Sequence, residues 1–155
     1  MVVREPQAGP QATAVLLVHQ ALQRVFGKGW TVRSRLPIAL DDESEPEPDA
    51  CVVPDAPRDY RADHPTRAVL VVEIADDSLR RDRTRKGSLY ARADITDSWI
   101  VNLREGVLEV YREPVPSARA RHGWRYGRVE RLSPMAVVSP LAAPRSRVRV
   151  ADLLP

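Results

Sequence analysis

The sequence predicts an α/β (α+β) domain: a mixed central sheet with helices against it. Three observations predict it. Helix-like and strand-like segments follow one another in the order helix, strands, helix, strands. Residues 68–74, Ala-Val-Leu-Val-Val-Glu-Ile, are a short, apolar, β-branched run, the pattern of a strand buried on both faces. No segment recurs at a fixed period, which sets aside solenoids and propellers.

The 155 residues suit one domain, 1–155, with residues 1–10 as a flexible N-terminal tail. A single cysteine, Cys51, excludes a disulfide framework and a cysteine-rich zinc site, and suits a reducing compartment. No apolar run approaches the ~20 residues of a membrane span, and residues 1–10 lack the apolar core of a signal peptide. The expected place is the cytoplasm, with no membrane partner. The net charge of +3 permits nucleic acid as a partner without demanding it. Its distribution is uneven: residues 41–49 are acidic, 80–92 and 119–131 basic. Of 24 basic residues only Lys28 and Lys86 are lysine. A lysine can give up a proton where arginine cannot, so Lys86 draws notice.

Pro10 leads into a helix over 11–26, with Val15, Leu22 and Val25 or Phe26 as its core stripe, Val18 beside it, and Gly27 and Gly29 as its stop. His19 reads as an ordinary helix histidine, because no second metal-type ligand stands at helical spacing. Residues 30–35 and 36–40 read as two strands, the second limited by Pro37 to an edge or a strand start. Residues 41–48 form an acidic loop without the spacing or glycine of an EF-hand. Residues 49–53, Asp-Ala-Cys-Val-Val, are a strand with Asp49, Cys51 and Val53 on one face. A polar connection, 54–67, leads to the 68–74 strand. There Val69, Val71 and Glu73 share a face, and a carboxylate on such a strand is costly to bury without a partner.

Asp77 or Ser78 can cap a helix over 81–93, with Leu89 and Ala93 in the core and Gly87 allowing close approach to the sheet. Asp82 and Lys86, four apart, share a face, where an ordinary salt bridge is the default reading. Residues 98–103 and 107–112 read as a hairpin pair across the turn 104–106. A loop over 114–123, a strand over 124–132, an extended connection over 134–144 and a last strand over 147–150 complete the chain. The arginines of 119–131 suit either a solvated strand face or phosphate contact.

Two carboxylates on adjacent strands with a lysine nearby suit phosphodiester hydrolysis with a hard divalent cation. Each also has a structural reading: Asp49 as a strand-start turn residue, and Glu73 as half of a buried pair with an arginine such as Arg85.

The runs SEPEPDACVVP and RDYRADHPTRAVLVVEIADDSLRRDRTRKGSLYARADITDSWIVNLREGVLEVYREP resemble the Uma-two type of restriction-endonuclease-like proteins, within the PD-(D/E)XK nuclease superfamily. The resemblance runs from the first helix to the closing Ala-Asp-Leu-Leu-Pro. It implies a restriction-endonuclease-like domain with an extra β-hairpin after the core. It implies a Mg²⁺-dependent DNA endonuclease, with Mn²⁺ able to substitute, acting as a homodimer; the hairpin around 104–112 is one candidate contact. By it, Asp49 and Glu73 are metal ligands, the Ile74 backbone carbonyl a third, and Lys86 the catalytic lysine. In the superfamily that lysine stands two residues after the glutamate. Here that position is Ala75, and Lys86 matches from the following helix. The acidic group often found on the first helix is missing, leaving only Gln20 or Gln23. Gly87 stands where a leucine-like residue is usual, and 94–99 depart from the usual turn. Two further readings stay open: a nucleic-acid-binding module that no longer cuts, and a structural or protein-interaction domain. The low aromatic content, 5%, gives little support to a base-stacking single-strand binder.

Overall fold

The computed structural model describes residues 9–41, 43–76 and 82–155, with the side chain of Asp82 outside that set. The expected N-cap at Asp77 or Ser78 and the Asp82–Lys86 salt bridge therefore lie outside the described residues. Helix α1 spans Gly9–Val25. It takes in Gly9 and Pro10, which the sequence assigns to a tail; a proline is tolerated in a first turn, where its missing N–H has no helical partner. The helix ends before Gly27, and Gly29 follows with φ +94, a conformation glycine adopts without penalty.

Six strands form one sheet in sequence order: β1 Trp30–Arg33, β2 Ala50–Pro54, β3 Leu70–Ala75, β4 Asp97–Asn102, β5 Val107–Pro116 and β6 Trp124–Leu132. Only β3 and β4 are parallel. A parallel pair needs a crossover. It contains a π-helical turn, Asp82–Lys86, that runs into α2, Gly87–Arg92. A separate hairpin pairs β7, Val137–Val138, with β8, Val148–Arg149.

The sheet separates two apolar layers. Ala14, Val15, Val18, Ala21 and Leu22 of α1 pack with Leu70, Val72, Ile74, Trp99 and Val101 on one face. Tyr90 and Ala91 of α2 pack with Cys51, Val53 and Val71 on the other. The period-2 alternation along β3 sends successive side chains to opposite layers. Glu73 therefore shares the α2 side with Val71.

Three sequence readings change. Residues 36–40 form no strand. Pro37 has no N–H to give, and the segment is held instead by Ile38 N–H to Pro46 and Ala39 N–H to Pro65. The loop predicted over 114–123 shrinks to seven residues, because β5 and β6 pair out to Pro116 and Trp124. Glu113 takes φ 62 at a break in that ladder, facing Gly127. In the second helix the buried residues are Ser88, Tyr90 and Ala91. Leu89 is only half-buried, because the π turn rotates the face that meets the sheet.

Candidate active site

Glu73 is 3% exposed near the C-terminal end of β3. Burial pushes its carboxyl up to about 7, against the pull of the Lys86 ammonium; the nearby Asp49 charge raises it further. Its Oε2 accepts from Lys86 Nζ at 3.1 Å. Its Oε1 accepts from the Tyr90 hydroxyl at 2.6 Å. The pair expected with Arg85 is made by Lys86 instead. Burial and the Glu73 charge together push the Tyr90 hydroxyl well above its ordinary value, so Tyr90 stays a donor.

Asp49 immediately precedes β2. The register pairs Ala50 with Val72, so one further step sets Asp49 beside Glu73. Asp49 Oδ2 accepts the Ile74 N–H at 2.7 Å, standing in for the next backbone bond of the ladder. Within a strand a residue's N–H and C=O project to the same side. The Ala75 carbonyl accepts from Leu103 on the β4 side, so the Ile74 carbonyl projects the other way, toward Asp49. The structure thus brings Asp49, Glu73, Ile74 and Lys86 to one end of β2 and β3. Asp49 also fills its structural role at the strand start. Gln20 and Gln23 do not join the group: both are exposed on α1, which packs against the opposite face.

Among the described residues, no three His, Cys, Asp or Glu side chains gather as a metal cluster. Two carboxylates and a carbonyl suit an ion that takes hard oxygen ligands and keeps several waters, and not a zinc-type centre. Asp49 Oδ1 has no hydrogen-bond partner among the described residues. Each Glu73 oxygen retains acceptor capacity beyond its one hydrogen bond. A carboxylate this poorly solvated gains from a nearby cation. The donors present therefore fit Mg²⁺ or Mn²⁺.

Sequence reasoning missed Tyr90. The signal was there: Lys86 and Tyr90 are four apart, so one helical face presents both to the sheet. It also missed Glu109, two strands from Glu73 on the same face and 1% exposed. Burial pushes Glu109 up, but bonds from Arg83, Tyr111 and Asn102 outweigh it, and its carboxyl is held below the usual range.

A family model for Uma2, described as "Putative restriction endonuclease", matches residues 1–143. The chain belongs to that family, and the family supports a nuclease role. No curated protein matches it. One similar solved structure is titled a "putative nuclease belonging to DUF820" from Anabaena variabilis. It aligns at a TM-score of 0.70 over 97% of this chain and 84% of its own, with 16% identity. That likeness is one of fold.

Proposed function

We propose that this member of the Uma2 family is a Mg²⁺-dependent DNA endonuclease of the PD-(D/E)XK type, with Mn²⁺ able to replace Mg²⁺. The observation that carries the reading is the meeting of Asp49, Glu73 and Lys86 at one sheet end, with Lys86 Nζ 3.1 Å from Glu73 Oε2. Asp49, Glu73 and the Ile74 carbonyl would hold the cation. When bound, it supplies a Lewis acid for the phosphoryl oxygen and a water of lowered pKa. Lys86 reaches the group from the helical crossover, where Ala75 on the strand has no side chain to do so. Its ammonium orients the attacking water and offsets negative charge developing at phosphorus. Tyr90 and Lys86 fix the Glu73 carboxylate from two sides, which keeps it from turning away when the cation leaves.

Cutting both strands takes two such centres, so we assign the working unit as a homodimer acting in the cytoplasm. The test is nicking of supercoiled plasmid with Mg²⁺ or Mn²⁺, by the parent and by Glu73→Ala and Lys86→Ala. The reading expects metal-dependent nicking, reduced at least 100-fold in both variants, with folded far-UV spectra. Cleavage by Glu73→Ala at the parent rate would sink it. Salt-sensitive binding without any cleavage would favour the non-cutting module instead.

A further inference from the structure

A cavity of about 480 Å³ lies between α2 and the β5–β6 hairpin. Its walls include Trp124, Tyr111, Arg119, Arg121 and Arg125. The size is that of a small-ligand site, ~300–1,000 Å³. Arg83, Gly87 and Tyr111 line both this cavity and the small gap over Glu73 and Lys86. The two spaces are thus neighbours across Gly87, which has no side chain to put between them.

The cavity is built rather than incidental. The Ser88 hydroxyl on α2 donates to the Trp124 carbonyl at 2.7 Å and accepts the His122 N–H at 2.9 Å. One side chain therefore ties the hairpin loop to the helix. Charge is distributed unevenly around it. Arg83 pairs with Glu109, Arg92 with Asp41 and Arg131 with Glu105. Among the described residues, Arg119, Arg121 and Arg125 pair with no carboxylate. All three are exposed. His122, between them, is held below its ordinary value by its partial burial and by the charges of Arg92, Arg121 and Arg85. Unpaired arginines around an aromatic-walled hollow suit a phosphate together with a flat ring.

We propose that this cavity is a subsite for one unpaired nucleotide of the substrate strand, with its base against Trp124 and its flanking phosphates on Arg121 and Arg125. The proposal rests on the nuclease reading and sharpens its substrate class. A stacked base pair presents no free base face to a hollow, whereas a single strand or an extruded base does. Aromatic residues are few in the chain, but here three of them, Tyr111, Trp124 and Tyr126, line one hollow with the arginines.

The test measures binding of the full chain in EDTA, where cleavage plays no part. Fluorescein-labelled dT12, rU12 and a blunt duplex are titrated by anisotropy, and tryptophan emission is followed with unlabelled strands. The expected result has four parts. A single strand binds at least 10-fold more tightly than the duplex, with dT12 against rU12 naming the sugar. Binding quenches emission, and Trp124→Phe loses that quench while the buried Trp99 continues to report the fold. Arg121→Glu with Arg125→Glu weakens binding at least 10-fold, with an unchanged melting temperature. The same pair lowers the log–log salt slope by roughly 1.4, at ~0.7 per phosphate. Unchanged affinity in the double variant overturns the subsite. So does a quench that survives in Trp124→Phe. Displacement of dT12 by polyglutamate at equal charge concentration, without quenching, also overturns it, because the surface is then a general anion binder. The two readings fail separately. Loss of Glu73-dependent nicking with this binding intact removes the nuclease reading alone, and intact nicking with unchanged binding removes the subsite alone.

Discussion

Glu73 and Glu109 stand in one cross-strand row, with Ile100 between them, and both are almost shut off from water. They end in opposite electrostatic states. Glu73 is pushed up to about 7 by burial, with one ammonium and one tyrosine against it. Glu109 is equally hidden from water but lies less deep in the protein, accepts from Arg83, Asn102 and Tyr111, with Arg131 Nη1 3.7 Å away, and is held low. Low exposure alone therefore does not decide what a carboxylate does; its depth and the donors supplied to it do. Glu109 is a completed structural knot. Glu73 is left short of positive charge, beside a second carboxylate, and that is the condition a cation would relieve.

The largest effect expected from this contrast lies at Glu109. Replacing it with Gln leaves the Arg83 guanidinium without its charge partner. Breaking a fully buried pair from one side costs roughly 3–5 kcal/mol; Arg83 keeps about a third of its side chain in water, so the low end applies. Thermal unfolding at pH 7 should show the Tm of Glu109→Gln falling by roughly 6–12 °C. An unchanged Tm would mean that the knot contributes nothing. The second effect has the opposite sign. Glu73 binds its proton more tightly folded than unfolded, so stability falls as pH rises from about 4.5 to about 7 and then levels. Glu73→Gln removes that loss. In EDTA at pH 8 the variant should be more stable than the parent by up to about 3 kcal/mol, at ~1.4 per pH unit, and the gain should vanish near pH 4.5. A Glu73→Gln protein destabilised at pH 8 would show that Glu73 and Glu109 are the same kind of residue.

A smaller effect separates the two through the cation itself. A ligand that binds only the folded state at ten times its Kd adds roughly 1.4 kcal/mol. Mg²⁺ at such a level should raise the parent's Tm by a few degrees at pH 8. It should leave Glu73→Gln unmoved and act on Glu109→Gln as on the parent. Equal shifts in all three would place the ion elsewhere.

The contrast was half legible in the sequence. Glu73 announced itself because a lone carboxylate interrupts an otherwise apolar run, and local composition is enough to see that. Asp49 was visible as a strand-start acid, and joining consecutive strands sets β2 beside β3, but the register that pairs Asp49 with Glu73 came only from the structure. Lys86 stood out by scarcity and helical placement. Glu109 gave no such signal. In Val-Leu-Glu-Val-Tyr-Arg it alternates with apolar residues as any half-solvated strand residue does. Its burial comes from Arg83, 26 positions away, and from pairing with β6, whose register has no local code. The cavity at Trp124 was hidden for the same reason: its walls come from a helix and a hairpin far apart in sequence, which pack together through Tyr90, Ala91 and Tyr126 and are tied by Ser88.

Tyr90 offers the finest division between the two carboxylates. Its hydroxyl donates to Glu73 Oε1, and a hydrogen bond to a charged acceptor is worth more than one to a neutral acceptor, roughly 1.5–3 against 0.5–1.5 kcal/mol. Tyr90→Phe removes the donor and keeps the ring among its apolar neighbours. The loss should therefore be larger at pH 8, where Glu73 is ionised, than at pH 5, where it is protonated, by about 1 kcal/mol. With one donor fewer for the ionised form, Glu73 should titrate still higher. The pH at which Mg²⁺ begins to raise the Tm should move up with it, because the cation competes with that proton. Tyr111→Phe makes the matching change at Glu109, whose carboxyl is already ionised across this range. Its cost should be flat between pH 5 and pH 8. A pH-independent cost at Tyr90 as well would mean that Glu73 does not titrate near neutrality, and the contrast between the two carboxylates would then lie in their neighbours alone and not in their charge.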